Sequence, residues 1–332
     1  MNKIKVGFIS FAHMHAATYF FSMLKRDDVE VVGIADEDGE RVRPYSVERG
    51  IPYYADYNEL LSQEIDAVVI CSENARHAEI TKRAAEAGKH VLCEKPLGLS
   101  EAEMLEMIRV CKDHGVQLMT AFPCRYLTSV RQAKEAVDAG QIGEILAMKG
   151  TNRGTMPGGW FIEREKSGGG AVFDHTVHVM DLMHWFTGSK VEEVYAHAET
   201  LFHDTDIDDA GMVHVKFANG VVAVLDPSWS RNRTFPTWGD VTLEIIGTKG
   251  VLNIDAFAQK NEVYSDVTGK AAAWNFWGDD MDEGLINSFV ESIRNGKPVE
   301  ITGEDGYYSA RVALAAYESA NTKRTVQLKP QA

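Results

Sequence analysis

The sequence predicts an α/β chain in two parts: a doubly wound parallel sheet, then an α+β domain built on a large, mostly antiparallel open sheet. Three observations predict it. Over residues 1–121, continuous apolar runs alternate with amphipathic stretches. From about residue 122 the pattern changes to long alternating segments divided by turn signals. And 332 residues leave ample chain for two cores.

The runs IKVGFIS, VEVVGIAD, IDAVVICS, HVLCE and VQLMTAF are strands expected to be buried on both faces. Between them, the amphipathic stretches 75–88 and 101–115 are helices that each end on a glycine. Repetition at this spacing calls for right-handed crossovers. Past residue 122, a helix over 127–139 stops at Gly140. EILAMKGT, EEVYAHAETLF, GMVHVKFANGVVAVLDPSWS and DVTLEIIGTKGVLNI supply the open sheet, and ANG at 218–220 turns a hairpin. The glycine-rich TMPGGWFIEREKSGGG (155–170) leads into a helix over 172–186. A last helix over 305–321 precedes a strand-like RTVQL. The expected domains are 1–121 and 122–332, a division that leaves room for a C-terminal segment returning to the first domain.

Composition narrows the function. Asp and Glu number 49 against 34 Lys and Arg, a net charge of −15. Such a chain is repelled by nucleic acid and by anionic lipid, so small-molecule chemistry is expected instead. No apolar run reaches the length of a membrane span, and the charged start MNKIK passes directly into a strand, unlike a signal peptide. Four cysteines with no CxxC spacing make no disulfide framework, and the cytoplasm is the expected compartment.

Three stretches carry chemistry. GFISFAHMHA (7–16) lies where a strand opening into a phosphate-binding turn would show G-x-G-x-x-G, but those positions hold Ser10, Ala12 and His15. Serine and alanine are small enough to leave the backbone approachable; His15 is the anomaly. Asp36 ends the second strand, 21 residues after His15, where a carboxylate would hold the ribose hydroxyls of NAD and repel the 2′-phosphate of NADP. Its bland alternative is a helix N-cap. In CEKPLGLS (93–100), Lys95 follows a buried strand at the edge where ligands bind, and Pro96 fixes the next turn, trans or cis. In SGGGAVFDHTVHVMDLMHWFTG (167–188), Asp174 and His178 are four apart and share a helix face, so the carboxylate can orient the imidazole. A lysine beside such an imidazole suits hydride chemistry: one group takes the hydroxyl proton while the cation stabilises the alkoxide.

EKP at 94–96, RY at 125–126, AGQIGEI at 139–145 and the SGGGAVFDHTVHVMDLMHWFTG segment together resemble the Gfo/Idh/MocA oxidoreductases, relatives of glucose–fructose oxidoreductase and inositol dehydrogenase. The likeness runs in order through nearly the whole chain. It implies an N-terminal Rossmann domain that binds a dinucleotide and a second domain for substrate and oligomerisation, as a homodimer or homotetramer through the open sheet. It implies Lys95, Asp174 and His178 as the catalytic set. With the turn, it implies cofactor contacts from Ser10, Phe11, Ala12, His13, His15, Asp36, Ser72, Asn74, His77, Glu94 and Lys95, where Ser72, Asn74 and His77 belong to the loop CSENARH (71–77). The cofactor implied is NAD ahead of NADP, and the substrate a sugar, cyclitol or related polyol. Two departures stand against the family pattern: no glycine at the fingerprint positions, and His175 with Thr176 where an apolar residue and a glycine are usual.

The remaining candidates each carry a bland alternative. His175, His178, Asp181 and His184 step by three, and such a row drifts about 60° per step, so one ion cannot take all four. No metal is expected; the alternative is a partial site from Asp174, His175 and His178 completed by His13 or His15. His175 is assigned to substrate hydroxyls and His184 to a satisfied core or surface histidine. Trp160 is a sugar-stacking candidate against simple packing, Trp185 is core, and Arg153 is a substrate contact against a solvated charge. Arg125 braces the start of the second domain, and HDTDIDD (203–209) is a solvated turn without a calcium-loop pattern.

The function expected is NAD(P)-dependent oxidation of a hydroxyl on a sugar, cyclitol or polyol. The alternatives are glycoside cleavage with an NAD that is never released, and a sugar-binding protein without activity.

Overall fold

The computed structural model describes residues 3–267 and 270–329. They form two units. One comprises the chain up to Pro123 together with Asp282–Tyr307, the other Cys124–Met281 together with the chain from Tyr308 onward.

In the first unit the strands are β1 (Ile4–Ile9), β2 (Val29–Ala35), β3 (Tyr53–Tyr54), β4 (Ala67–Ile70), β5 (His90–Cys93) and β6 (Leu118–Thr120). The helices between them are α1 (His15–Leu24), α2 (Gly39–Val42), α3 (Tyr57–Leu61), α4 (His77–Glu86) and α5 (Glu101–Asp113). All strand pairs are parallel, in the order β3-β2-β1-β4-β5-β6. The order reverses between β1 and β4, and that switch point is where an open α/β sheet binds its ligand. β4 is buried along its whole length, as its unbroken apolar run requires. α5 starts on a capping box, Ser100 with Glu103, which satisfies two of the amides its first turn would leave bare. β3, two residues long, has too little sequence to announce itself.

The second unit contains α6 (Thr128–Asp138), β7 (Ile145–Thr151), α7 (Arg164–Ser167), α8 (Ala171–Thr187), β8 (Val191–Glu199), β9 (Ala210–Phe217), β10 (Val222–Asp226), β11 (Thr242–Gly247), β12 (Val251–Asp255), a hairpin of β13 (Lys260–Ser265) and β14 (Lys270–Phe276), and β15 (Val326–Gln327). The sheet runs β12-β11-β7-β10-β9-β8-β15, antiparallel except for the parallel pair β7–β10. Val194, Val213, Val215 and Leu225 turn one face onto Val179 and Met183 of α8. The other face leaves Met212, Val222 and Val251 exposed. α9 (Met281–Asn295) and α10 (Gly303–Thr322) follow. α9 is fixed to the first unit by Arg26, whose guanidinium donates to Asn287 and Glu291, and by Arg294, which pairs with Asp28.

Candidate active site

The turn after β1 does without glycine. Ser10 takes φ +65, the left-handed conformation that the first glycine of the fingerprint would supply, and its Oγ accepts the Ala12 N–H at 3.1 Å. Phe11 turns its ring into the core against Tyr45, centroids 4.6 Å apart, and gives its N–H to Asp36 Oδ2 at 2.7 Å. Asp36 Oδ1 accepts the Asp38 N–H at 2.8 Å. The N-cap of α2 is Asp38, which accepts from the amides of Glu40 and Arg41, so the capping role falls there and not on Asp36. Beyond the ends of β1 and β2 lies a cleft of about 170 Å³ whose lining includes Ser10, Asp36, Glu37, Asp56 and Arg76. Arg76 is held by Glu37 at 2.7 Å. These residues fit a dinucleotide: an approachable turn, a carboxylate at the end of the second strand, and a cleft beside both.

His13, His15, Glu94 and Lys95 gather at the ends of β1 and β5. The His13 N–H donates to Cys71 O, and Glu94 N–H pairs with Ile70 O, which sets both residues above β4. Glu94 is buried; its Oε1 lies 3.0 Å from His15 Nδ1, its Oε2 3.8 Å from His13 Nε2, and Oε2 accepts the Lys95 N–H at 3.0 Å. Burial alone would raise the carboxyl, but His13, His15 and Lys95 hold it well below the usual carboxylate range. The Lys95–Pro96 peptide is cis. In the neighbouring loop, Ser72 and Asn74 are buried, and Ser72 Oγ donates to Glu73 O. His77 is fully buried with Nδ1 2.9 Å from Pro96 O and Nε2 3.2 Å from Ser72 O. Burial lowers its pKa. This differs from the direct cofactor contact expected of it: neither ring nitrogen is left for a ligand, and the ring joins the loop to the Lys95–Pro96 turn instead.

In the second unit the candidate residues Asp174, His175 and His178 sit near the start of α8, which is buried almost throughout. Its first amides find a carboxylate from far along the chain. Asp208 accepts the N–H groups of Gly170 and Val172 at 3.1 and 2.8 Å, its carbonyl takes that of Ala171, and Tyr317 OH donates to it at 2.7 Å. A Cβ at Gly170 would collide with the Asp208 carbonyl, so the last glycine of the SGGG run is required by close approach. HDTDIDD is therefore a solvated turn only over its first four residues. Asp208 and Asp209 are both buried, and Asp209 accepts the amides of Leu201, Phe202 and His203.

On α8, Asp174 Oδ2 lies 3.3 Å from His175 Nε2. Asp174, His175 and His178 are each less than a tenth exposed. His175 packs edge-on to Trp229 and Trp238, centroids 6.3 and 6.1 Å away. Arg153 donates to Asp240 Oδ2 at 3.2 Å, and Arg231 pairs with the same oxygen. Two guanidiniums thus share one carboxylate, and burial with Arg153 nearby lowers the pKa of Arg231. Arg231 and Trp238 are additional candidates that the sequence did not reveal. Both sit in an irregular stretch with no motif, brought in by the Gly154–Gly239 bridge. Trp160 stacks on Phe161 at 3.9 Å. Arg125 forms a buried bidentate pair with Asp181 of α8, the bracing role expected of it, and His184 is a core ring against Phe217.

Comparison with known proteins agrees with this fold. Residues 4–122 match the oxidoreductase family model with an NAD-binding Rossmann fold, and residues 130–253 match the GFO/IDH/MocA C-terminal domain. Myo-inositol 2-dehydrogenase of Thermotoga maritima is 31% identical over 316 residues, 91% of this chain and 92% of that protein. Scyllo-inositol dehydrogenase from Lactobacillus casei, solved with NAD(H) and scyllo-inositol bound, superposes with a TM-score of 0.85 at 25% identity over 98% of this chain and 99% of its own. GenD2 from gentamicin A biosynthesis, solved with NAD, superposes at 0.91 over 99% of this chain and 97% of its own; at 23% identity it speaks for the fold alone.

Proposed function

The chain belongs to the GFO/IDH/MocA oxidoreductase family, and from that membership we propose how this protein works as an NAD(P)-dependent oxidoreductase on a hydroxyl of a sugar, cyclitol or related polyol. The observation that carries the reading is the turn after β1: Ser10 in the left-handed conformation, with Asp36 closing on the Phe11 amide at the β1–β4 switch. Bound there, the nicotinamide supplies the hydride acceptor. NAD is preferred to NADP, because Asp36, Glu37 and Asp56 set three carboxylates around the cleft and a 2′-phosphate would meet them.

The chain's own residues have the proton and the orientation to manage. His178 takes the hydroxyl proton, Lys95 stabilises the alkoxide, and Asp174, in contact with His175, fixes the imidazole face of α8. His175, Arg153 and Trp160, with Arg231 and Trp238, form the substrate-facing set. Copies of the chain associate through the exposed Met212–Val222–Val251 face, giving a dimer or tetramer; a monomer by light scattering at micromolar concentration removes that part. The cytoplasm is the proposed compartment, supported by four buried cysteines that form no disulfide.

The experiment is a screen of inositols, aldoses and their glycosides for NAD reduction at 340 nm. At least one should give steady NADH formation. No NADH from any of them, with NAD bound, sinks the reading.

A further inference from the structure

The turn after β1 keeps few amides for an anion. Its N–H groups at Phe11, Ala12, His13 and His15 go to Asp36 Oδ2, Ser10 Oγ, Cys71 O and His13 Nδ1 respectively. A glycine-built turn offers such amides to the pyrophosphate. A side-chain donor would make up for the amides lost, and His15 lies in the same turn. It is the first residue of α1, its side chain is 25% exposed, and Nδ1 is committed to the buried Glu94 at 3.0 Å. Nε2 has no protein partner among the described residues.

That commitment has a chemical consequence. With the Nδ1 proton aimed at Glu94, a neutral ring presents a lone pair at Nε2, which repels a phosphate oxygen. An imidazolium presents N–H on both sides. We propose that His15 anchors the dinucleotide pyrophosphate by donating from Nε2, that it does so only as the imidazolium, and that NAD binding is therefore coupled to proton uptake. The proposal rests on the cofactor reading above.

The surroundings favour that state. Burial opposes it, but the charge and hydrogen bond of Glu94 prevail and raise the His15 pKa above its usual value; Asp282, at the start of α9, acts in the same direction and Lys95 against it. Tyr19 OH lies 3.4 Å from Nδ1, and His13 packs edge-on at 4.5 Å.

The rival occupant is a divalent cation, since His13, His15 and Glu94 offer ligand atoms within 4.8 Å of one another. The hydrogen bonds disfavour it. His13 Nδ1 accepts the His15 N–H at 3.2 Å, so the His13 proton is on Nε2, the atom that faces Glu94. A metal there would leave both nitrogens of His13 bare. The cluster is built to hold protons.

The test is NAD affinity as a function of pH, read by quenching of the six tryptophans on chelator-treated protein. Below the His15 pKa the wild-type Kd should be flat; above it, Kd should weaken by about tenfold per pH unit, the slope of a single coupled proton. Calorimetry in two buffers of different ionisation heat should show uptake approaching one proton. In His15→Gln, and in His15→Gly, which restores the fingerprint glycine, both the slope and the uptake should vanish. In Glu94→Gln the weakening should begin at lower pH. Parallel profiles in wild type and both His15 variants overturn the proposal, as does a pH profile in untreated protein that chelation abolishes. No saturable binding at any pH removes the cofactor reading itself.

Discussion

Ser10 holds a backbone conformation that costs an L-residue roughly 1–2 kcal/mol. The Oγ–Ala12 hydrogen bond and the Asp36–Phe11 bond keep it there. Asp36 braces the turn, and in the proposed reading it also meets the ribose. Replacing it with serine should cut the preference for NAD over NADP by at least about tenfold in kcat/KM, since a 2′-phosphate then loses a repelling carboxylate while Arg41, 3.6 Å from Oδ1, remains. An unchanged ratio of NAD to NADP efficiency would contradict the assignment. At this scale, what lies close in the chain or follows a strand end is legible: Ser10, Asp36 and Lys95 are positioned by β1, β2 and β5. Asp208 was hidden, because a cap donated from 38 residues beyond Gly170 has no local spacing to betray it.

The strands β1, β2, β4 and β5 are legible because burial on both faces demands unbroken apolar runs. α8 is legible from its glycine entry. The β13–β14 hairpin is not, since Lys260, Glu262 and Ser265 dilute any alternation. α9 does carry a signal, the pairs Leu285–Phe289 and Ile286–Val290 at helical spacing, all buried. The element whose integrity matters most to the chemistry is α8, and Asp208 holds its first turn. Asp208→Ala should cost about 1–2 kcal/mol, lowering Tm by several degrees. NAD affinity should survive, because the cofactor residues belong to the other unit. A Tm within a degree of wild type would show that α8 does not depend on the cap. Asp209 adds a pH dependence. Burial raises its carboxyl, but the amides it accepts hold it below the usual range. Its stabilisation is therefore full above about pH 4, the ordinary carboxyl value, and is lost as pH falls through the depressed native one. Acid unfolding followed by circular dichroism should lose that limb in Asp209→Asn.

For the whole molecule, a charge of −15 disfavours nucleic acid and anionic lipid surfaces, and the order of motifs along the chain is that of the GFO/IDH/MocA oxidoreductases. The residues proposed for catalysis, Lys95 and the pair Asp174 and His178, lie far apart along the chain, so no local stretch of sequence contains them all. Resemblance joined them where spacing could not. The most direct measurement is the rate of NADH formation from the best polyol of the screen, compared among wild type, Lys95→Ala and His178→Ala with NAD binding followed in parallel. The rate should fall by about 10²–10⁴-fold in both variants with NAD affinity nearly intact. Undiminished NADH formation in both variants, or free sugar released from a glycoside with no net NADH, would contradict it.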